Sequence, residues 1–167
     1  MQILTSYRDT RSVQYPEPVS IILVKDKDGR YNPMSASWVT FTYIEPRMLA
    51  ISIGFQRYTY ELMMNQNEFV ISIPSESMAA EVECFGSSSG RDVDKLKHLG
   101  TLTQPATLID GVLLAEASVN YECRLTGTLK TGDHMIFAAE IVASHMHENL
   151  VSRLFMLGPK QFGGLVK

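Results

Sequence analysis

The most regular pattern in the chain is an alternation of apolar and polar residues from Leu113 to Leu125. A period of two predicts a β-strand with one face on the core and the other face toward solvent. The alternation resumes from Met135 to Ala143, after the turn-forming sequence Thr131-Gly132-Asp133-His134. Together the two segments predict a long antiparallel hairpin.

Shorter apolar runs predict the other strands. They are Val19–Val24, Tyr31–Tyr43, Met48–Ile53 and Phe69–Ile73, with a last short element at Val151–Leu157. The first of these is apolar at nearly every position, which is typical of a strand covered on both faces. Asp28-Gly29 predicts a hairpin turn between the first two runs, because glycine adopts positive φ without a Cβ clash. Pro33 cannot donate to a central ladder, so we expect it near the start of its strand or at a bulge.

Three segments have a helical rather than an alternating pattern. The first begins at Thr59, whose hydroxyl is a candidate N-cap for the helix formers that follow. The second covers Met78–Phe85, with Ser77 as a candidate N-cap, and the third is a short turn at Asp94–His98.

These elements predict a mostly β fold, namely a closed or partly closed β-barrel with peripheral helices. The sequence has neither a βαβ alternation nor a G-x-G-x-x-G fingerprint, which argues against a Rossmann fold. We expect one domain over residues 1–167, with an N-terminal arm at 1–18 and a C-terminal tail at 158–167.

Composition excludes several classes of function. The net charge of −3 disfavours a nucleic-acid partner, whose phosphates require a basic face. The apolar runs are far shorter than the ~20 residues that a membrane span needs. The first nine residues do not resemble a signal peptide, so we expect a cytoplasmic protein. Two cysteines, Cys84 and Cys123, are too few for a disulfide framework or a thiolate zinc site.

Candidate binding residues are concentrated between positions 32 and 60. Asn32, Ser35 and Ser37 offer an amide and two hydroxyls that suit a polyol chain, and Trp38 offers a flat aromatic surface. Arg57 and Thr59 stand where a helix is predicted to begin, an arrangement that suits a phosphate. Each also has a plainer interpretation: a half-exposed polar strand face, a core tryptophan, or a surface arginine beside an ordinary N-cap.

Two further groups of residues are candidates. The loop from Ser87 to Lys95 is rich in glycine and serine, as in an anion-binding nest, although many surface loops have this composition. His145 and His147 share one face of a predicted strand near Glu140 and Glu148, but two histidines at this spacing are a weak signal, and we expect no metal.

The ordered set of motifs resembles the flavin reductase-like family of FMN-binding split-barrel proteins, of Greek-key type, and its flavoredoxin-like branch in particular. The residues that carry the resemblance are Asn32–Trp38, Glu45-Pro46, Arg57-Tyr58-Thr59, Glu68–Pro74, Cys84-Phe85-Gly86 and Ser89–Lys95, with a weaker similarity at Glu122-Cys123 and Gly132-Asp133-His134.

The resemblance implies a homodimer with one FMN per subunit. Arg57, Thr59 and Lys95 would hold the phosphate, and His134 is a candidate for contact near the ring or a nicotinamide. The other cofactor-binding residues it implies are Asn32, Met34, Ser35, Ala36, Ser37, Trp38, Ser52, Gly54, Ser89 and Gly90.

The chain departs from the family pattern at two positions. Arg47 follows Pro46 where a second proline is usual, and Trp38 occupies a position that is small in many flavin reductases. The tryptophan leaves less room above a flavin, which disfavours free flavin as a substrate more than it disfavours the FMN site.

Three functions therefore remain open. The first is an NAD(P)H-dependent reductase that passes electrons from FMN to flavin, ferric iron or a protein. The second is a flavoredoxin-like electron carrier that a protein partner reduces. The third is a split barrel that has lost its flavin and serves as a dimeric scaffold.

Overall fold

The computed structural model describes residues 1–149 and 151–165. Its strands are β1 (Glu17–Pro18), β2 (Ser20–Lys25), β3 (Tyr31–Ala36), β4 (Val39–Tyr43), β5 (Met48–Gly54), β6 (Glu68–Ile73), β7 (Thr103–Pro105), β8 (Val112–Leu114), β9 (Val119–Thr131), β10 (His134–Met146), β11 (Phe155–Gly158) and β12 (Gln161–Gly163). Its α-helices are α1 (Tyr7–Thr10), α2 (Tyr58–Met63), α3 (Ala79–Ser87) and α4 (Lys95–Leu99).

The largest sheet among the described strands is antiparallel and has seven strands. Its strand order is β3-β2-β6-β9-β10-β5-β4, so β3 and β4 are its two edges, and the described strands do not close into a complete barrel. The prediction of a mostly β, partly closed barrel with peripheral helices is confirmed. Two smaller sheets, β1-β11-β12 and β7-β8, pair separately.

Hydrophobic residues fill both faces of this sheet. Ile22 belongs to a core cluster with Ile51 and Phe137, whereas the adjacent Ile21 belongs to a second cluster with Phe85 of α3. Successive residues of a strand point to opposite faces, so β2 is covered on both sides. This confirms the expectation drawn from its continuous apolar sequence.

The prediction of a single strand over Tyr31–Tyr43 is wrong. The chain leaves β3 after Ala36, passes through Ser37 and Trp38, and enters β4 at the opposite edge of the sheet. Pro33 lies in β3, where an edge strand tolerates the missing N–H donor.

The prediction of an unbroken strand from Leu113 to Leu125 is also wrong. β8 ends at Leu114 and β9 begins at Val119. The side chain of Asn120 accepts a hydrogen bond from Leu114 N at 3.0 Å and donates one to Leu114 O at 3.1 Å, which fixes β8 against β9. Segment 103–114 thereby covers polar residues of β9 that the alternation placed in solvent, including the fully buried Glu122.

The hairpin of β9 and β10 is confirmed, with Thr131 paired to His134 and Gly132 at a φ of +51° in the turn. Two predicted N-caps are wrong. Arg57 is the N-cap of α2, which places Thr59 inside the helix, and α3 starts at Ala79, after a 3-10 turn that contains Ser77.

Segments near the two ends of the chain pair in the sheet formed by β1, β11 and β12. β1, within the predicted arm, pairs with β11, and β12 lies within the predicted C-terminal tail, whose residues 166 and 167 fall outside the described residues. Of the predicted element at Val151–Leu157, Phe155–Leu157 lies in β11, and Arg153 forms an isolated bridge with Ser75. None of the described helices combines the length and apolar composition needed to cross a membrane.

Candidate functional site

Two adjoining pockets lie beside the edge strand β3 and the start of α2. The first, the cationic pocket, has a volume of about 150 Å³ and is lined from Asn32, the start of α2 and the loop between α3 and α4. The second, the Trp38 pocket, has a volume of about 210 Å³ and is lined from residues 34–38, β5 and His134. Met34 and Arg57 line both, so the two pockets adjoin at these residues.

The cationic pocket is strongly positive. Arg57, Arg91 and Lys95 line it, and among the described residues no aspartate or glutamate does. Arg91 pairs with Glu61 outside the pocket and stacks over the ring of Tyr58, with its guanidinium carbon 5.1 Å from the ring centre. Serine hydroxyls at 87–89 supply further polar contacts. This combination suits an anionic ligand such as a phosphate.

Lys95 is the most unusual group in this pocket. Its side chain is buried, and its ammonium donates to two carbonyl oxygens, Phe85 O at 3.2 Å and Ser88 O at 3.4 Å. Burial lowers the pKa of Lys95 to about 8; nearby Cys84 raises the pKa and Arg57 lowers it further. A buried ammonium without a carboxylate partner among the described residues is stabilised when an anion binds beside it.

Asn32 joins β3 to α2 at the floor of the same pocket. Its amide nitrogen donates to the Thr59 hydroxyl at 2.9 Å, and both residues are buried. Within the described chain, Asn32 Oδ1 is buried without a hydrogen-bond partner. The backbone of Gly90 lies so close to Oδ1 that a Cβ there would overlap it. The orphaned acceptor fits a ligand that brings a hydroxyl donor to the pocket.

One wall of the Trp38 pocket is formed by the end of β3 and by Ser37 and Trp38, which connect β3 to β4. Trp38 O accepts from Ser52 N at 3.0 Å, and Ser37 O accepts from Val39 N at 3.0 Å, which holds the connection against β5. Ser35 donates to Val82 O of α3 at 2.7 Å, so its oxygen lone pairs remain to accept from a ligand. Trp38 is 56% exposed, so it is a wall residue and not a core residue.

The opposite part of this wall comes from paired strands β5 and β10. Gly54 pairs with His134, and the rings of His134 and Trp38 lie 5.0 Å apart at an interplanar angle of 42°. His134 Nδ1 lies 2.6 Å from Asp133 Oδ1. The hydrogen bond with His134 lowers the pKa of Asp133, so this carboxylate is ionised at neutral pH.

Every residue predicted for the site lines one of the two pockets. The cationic pocket contains Asn32, Met34, Arg57, Thr59, Ser89, Gly90 and Lys95, and the Trp38 pocket contains Met34, Ser35, Ala36, Ser37, Trp38, Ser52, Gly54, Arg57 and His134. The N-cap Arg57 and the first two residues of the six-residue helix α2 line the cationic pocket, and a role of this helix N-terminus in phosphate binding stays a prediction. Side chains also supply positive charge to this pocket.

Sequence reasoning missed several lining residues. Those of the cationic pocket are Gln56, Tyr58 and Phe85, and those of the Trp38 pocket are Arg11, Glu17, Ile53 and Met156. Most of the first set adjoin residues that were singled out, so proximity along the chain was a usable signal. Glu17 and Met156 reach the pocket through the pairing of β1 with β11, and Arg11 lies in the 3-10 turn that precedes β1. No local pattern indicates these placements.

Comparison with known proteins decides the family. The model of the flavin reductase-like domain family matches residues 11–164, which include both pockets. The chain belongs to the flavin reductase-like family. An uncharacterised protein of Pyrococcus abyssi is 34% identical over 73% of this chain and 70% of its own length.

Solved structures share the fold of this flavin reductase-like chain. Flavoredoxin from Methanosarcina acetivorans superposes with a TM-score of 0.87 over 100% of this chain and 92% of its own, at 23% identity. An FMN-binding protein from Thermus thermophilus with bound p-hydroxybenzaldehyde superposes with a TM-score of 0.86 over 98% of this chain and 95% of its own, at 24% identity. At these identities the likeness establishes the architecture.

The remaining histidine candidates lie elsewhere in this flavin reductase-like fold. His145 and His147 line a separate cavity of about 290 Å³. His145 Nε2 lies 2.6 Å from Glu122 Oε1, and His147 Nδ1 accepts from Asn149 N at 3.1 Å. Across residues 1–149 and 151–165, no cluster of three metal-ligating side chains is present.

Proposed function

We propose that the protein is an FMN-binding oxidoreductase that takes a hydride from NADH or NADPH and passes electrons to flavin, ferric iron or a protein acceptor. One observation carries the proposal: a cationic pocket and an aromatic, hydroxyl-lined pocket meet at Arg57 and Met34. A ligand with a phosphate at one end and a flat ring at the other matches this pair. The family to which the chain belongs and its structural similarity to an FMN-binding protein and a flavoredoxin support the same cofactor.

The residues present fit FMN. Arg57 and Lys95 would balance the two negative charges of its phosphate, with Thr59, Ser89 and Gly90 beside them. The orphaned Oδ1 of Asn32 would accept from a hydroxyl of the ribityl chain. Met34, Ser35, Ala36, Ser37 and Trp38 would line the ribityl chain and one edge of the ring, with Ser52, Gly54 and His134 beyond them.

The isoalloxazine ring supplies the hydride and electron chemistry of flavoproteins. The protein itself would bind the flavin, orient it and shield it from water. Arg57 lines both pockets and would hold the phosphate, which orients the ring. Asp133 holds His134 through its Nδ1, which leaves Nε2 to contact a reactant near the ring.

The alternative function is a flavoredoxin-like carrier without NAD(P)H activity. The exposed Trp38 favours it, because the indole occupies space beside the ring position that a nicotinamide would need. The architecture shared with a flavoredoxin is compatible with it.

Absorption spectroscopy of the purified protein after addition of FMN tests the cofactor. We expect a bound flavin spectrum in the visible range, and a colourless protein that retains no flavin after gel filtration would contradict the proposal and favour the scaffold function. Anaerobic mixing with NADH and with NADPH then separates the two redox functions. Rapid bleaching of the bound flavin supports the reductase, whereas bleaching only by a reduced electron-transfer protein supports the carrier.

We also propose that the protein is a homodimer that associates through β4. This strand is an edge of the large sheet, with one side unpaired among the described strands. Phe41 and Tyr43 on it are 54% and 57% exposed, and the adjoining Ile44 is 77% exposed. An apolar, unpaired edge is a surface that a second copy would cover.

A further inference from the structure

The N-terminal arm contributes charged groups to the Trp38 pocket. The pairing of Glu17 with Met156 fixes β1 against β11 and brings both residues to the pocket wall. Arg11, in the 3-10 turn that follows α1, lines the same wall.

This inference rests on the proposed function, under which the charged residues of the Trp38 pocket have different roles. Arg57 faces both pockets and is engaged by the cofactor phosphate. Arg11 lines only the Trp38 pocket, so its charge remains when the phosphate site is filled. Glu17 lies on the same wall, yet no ion pair joins it to Arg11 within the described residues.

The geometry points to Arg11 as a specificity-determining residue at the solvent-facing rim of the Trp38 pocket. There, outside the part of the pocket assigned to the flavin ring, its charge favours small ring compounds that carry a carboxylate or phosphate group. The guanidinium is permanently charged, exposed to solvent and shaped to bind two oxygens of such a group. Glu17, half-buried on the fixed strand β1, repels the same group and so confines it to the side of the pocket near Arg11.

Three probes of nearly equal size test the inference: benzoate, benzamide and benzamidine, which are anionic, neutral and cationic. Each is titrated into the flavin-loaded protein, and binding is followed by the flavin absorption and by the fluorescence of Trp38, the only tryptophan of the chain. We expect benzoate to bind more tightly than benzamide, and benzamidine to bind most weakly.

Charge variants separate Arg11 from general electrostatics. Arg11→Gln should weaken benzoate binding by about three- to fivefold, the scale of an exposed charge pair, and leave benzamide binding unchanged. Glu17→Gln should strengthen benzoate binding. Arg8→Gln, which removes the same charge from an exposed arm residue that does not line the pocket, should leave the ratio of the benzoate and benzamide dissociation constants at the wild-type value.

Equal ratios in Arg11→Gln and the wild type would overturn the inference, as would a wild-type protein without preference for benzoate. These outcomes differ from failure of the proposed function, which shows as a preparation without flavin. Because Trp38 reports binding with or without flavin, the charge preference is measured in either case.

Discussion

The backbone of Gly90 packs against the side-chain amide of Asn32, so a Cβ at position 90 would overlap Asn32 Oδ1. The same amide donates to Thr59 in α2, so the loop between α3 and α4, the edge strand β3 and α2 meet at one side chain. Three elements distant in sequence thus form the cationic pocket around Asn32.

Gly90→Ala should therefore damage this pocket. The added methyl group must displace either the loop or the Asn32 amide, which breaks the bond to Thr59, and overpacking of this kind costs about 1–3 kcal/mol. We expect a lower midpoint of chemical denaturation and a weaker affinity for FMN in a fluorescence titration. Gly127→Ala is the matched control, since a Cβ there meets nothing within 4 Å. If both variants bind FMN equally well, the Asn32–Gly90 contact has no role in the site.

Arg57→Ala tests the junction of the two pockets. Loss of a charge-assisted, bidentate donor should weaken FMN binding by about 1–3 kcal/mol. The stability of the apoprotein should change little, because no ion pair of Arg57 exists in the described structure. Isothermal titration calorimetry with FMN measures the effect, with the exposed Arg47→Ala as control. Riboflavin provides a second check: its affinity should be the same in wild type and Arg57→Ala, because it has no phosphate.

The sequence predicted the parts of this site that lie in continuous patterns. The strands β2, β5 and β6, the β9–β10 hairpin and the loop ending at Lys95 follow from periodicity and composition. The prediction that these parts meet at one site came from the family resemblance, since each motif alone had an ordinary structural interpretation.

What the sequence did not predict depends on contacts between distant segments. The alternation of apolar and polar residues changes phase at Trp38-Val39, but a β-bulge within one strand gives the same change, so the pattern does not identify the crossing to the opposite edge of the sheet. Glu122 alternates as a solvent-facing residue would, yet segment 103–114 covers it. Glu17 joins the site because β1 pairs with a strand near the other end of the chain, and Arg11 lies in the 3-10 turn that precedes β1.

Substitutions at the β4 edge test the homodimer. Tyr43→Lys, in β4, and Ile44→Lys, directly after β4, should each shift the protein toward the monomer in sedimentation-velocity experiments, since burying a charge in an apolar interface is unfavourable. Leu102→Lys is a matched control, because Leu102 is 66% exposed and lies outside β4. A dimer that persists unchanged in both Tyr43→Lys and Ile44→Lys would place the interface elsewhere or show that β4 remains solvent-exposed.

Glu122→Gln should reduce stability in a pH-dependent manner. Burial raises the pKa of Glu122, but hydrogen bonds from Thr107 N, Leu108 N and His145 outweigh this effect and hold the pKa below its ordinary value. A lowered pKa means that the carboxylate stabilises the fold above its unfolded-state pKa, and that this stabilisation is lost as the pH falls through the folded-state value.

At pH 7 the amide variant should thus lose about 1–3 kcal/mol of unfolding free energy, the scale of hydrogen bonds to a buried charged group. Urea denaturation at pH 7 and at pH 4 measures the difference, which should be smaller at pH 4. Glu116→Gln, at an exposed position before β9, serves as control. A loss of stability in Glu122→Gln that is equal at both pH values would indicate that packing, and not charge, anchors segment 103–114.

The buried ammonium of Lys95 should make FMN binding depend on proton uptake. Because burial lowers its pKa to about 8, a fraction of Lys95 is neutral in the free protein at pH 8.5. A bound phosphate favours the charged form, so binding at this pH should take up protons and the affinity should fall as the pH rises above about 8. Calorimetric titrations in two buffers of different ionisation enthalpy measure this uptake.

Lys95→Met should abolish the proton uptake and flatten the pH dependence of the affinity. Lys97→Met, which replaces an exposed lysine on the same helix, should retain both. Equal proton uptake by wild type and Lys95→Met would mean that another group supplies the proton linkage and that Lys95 does not face the phosphate.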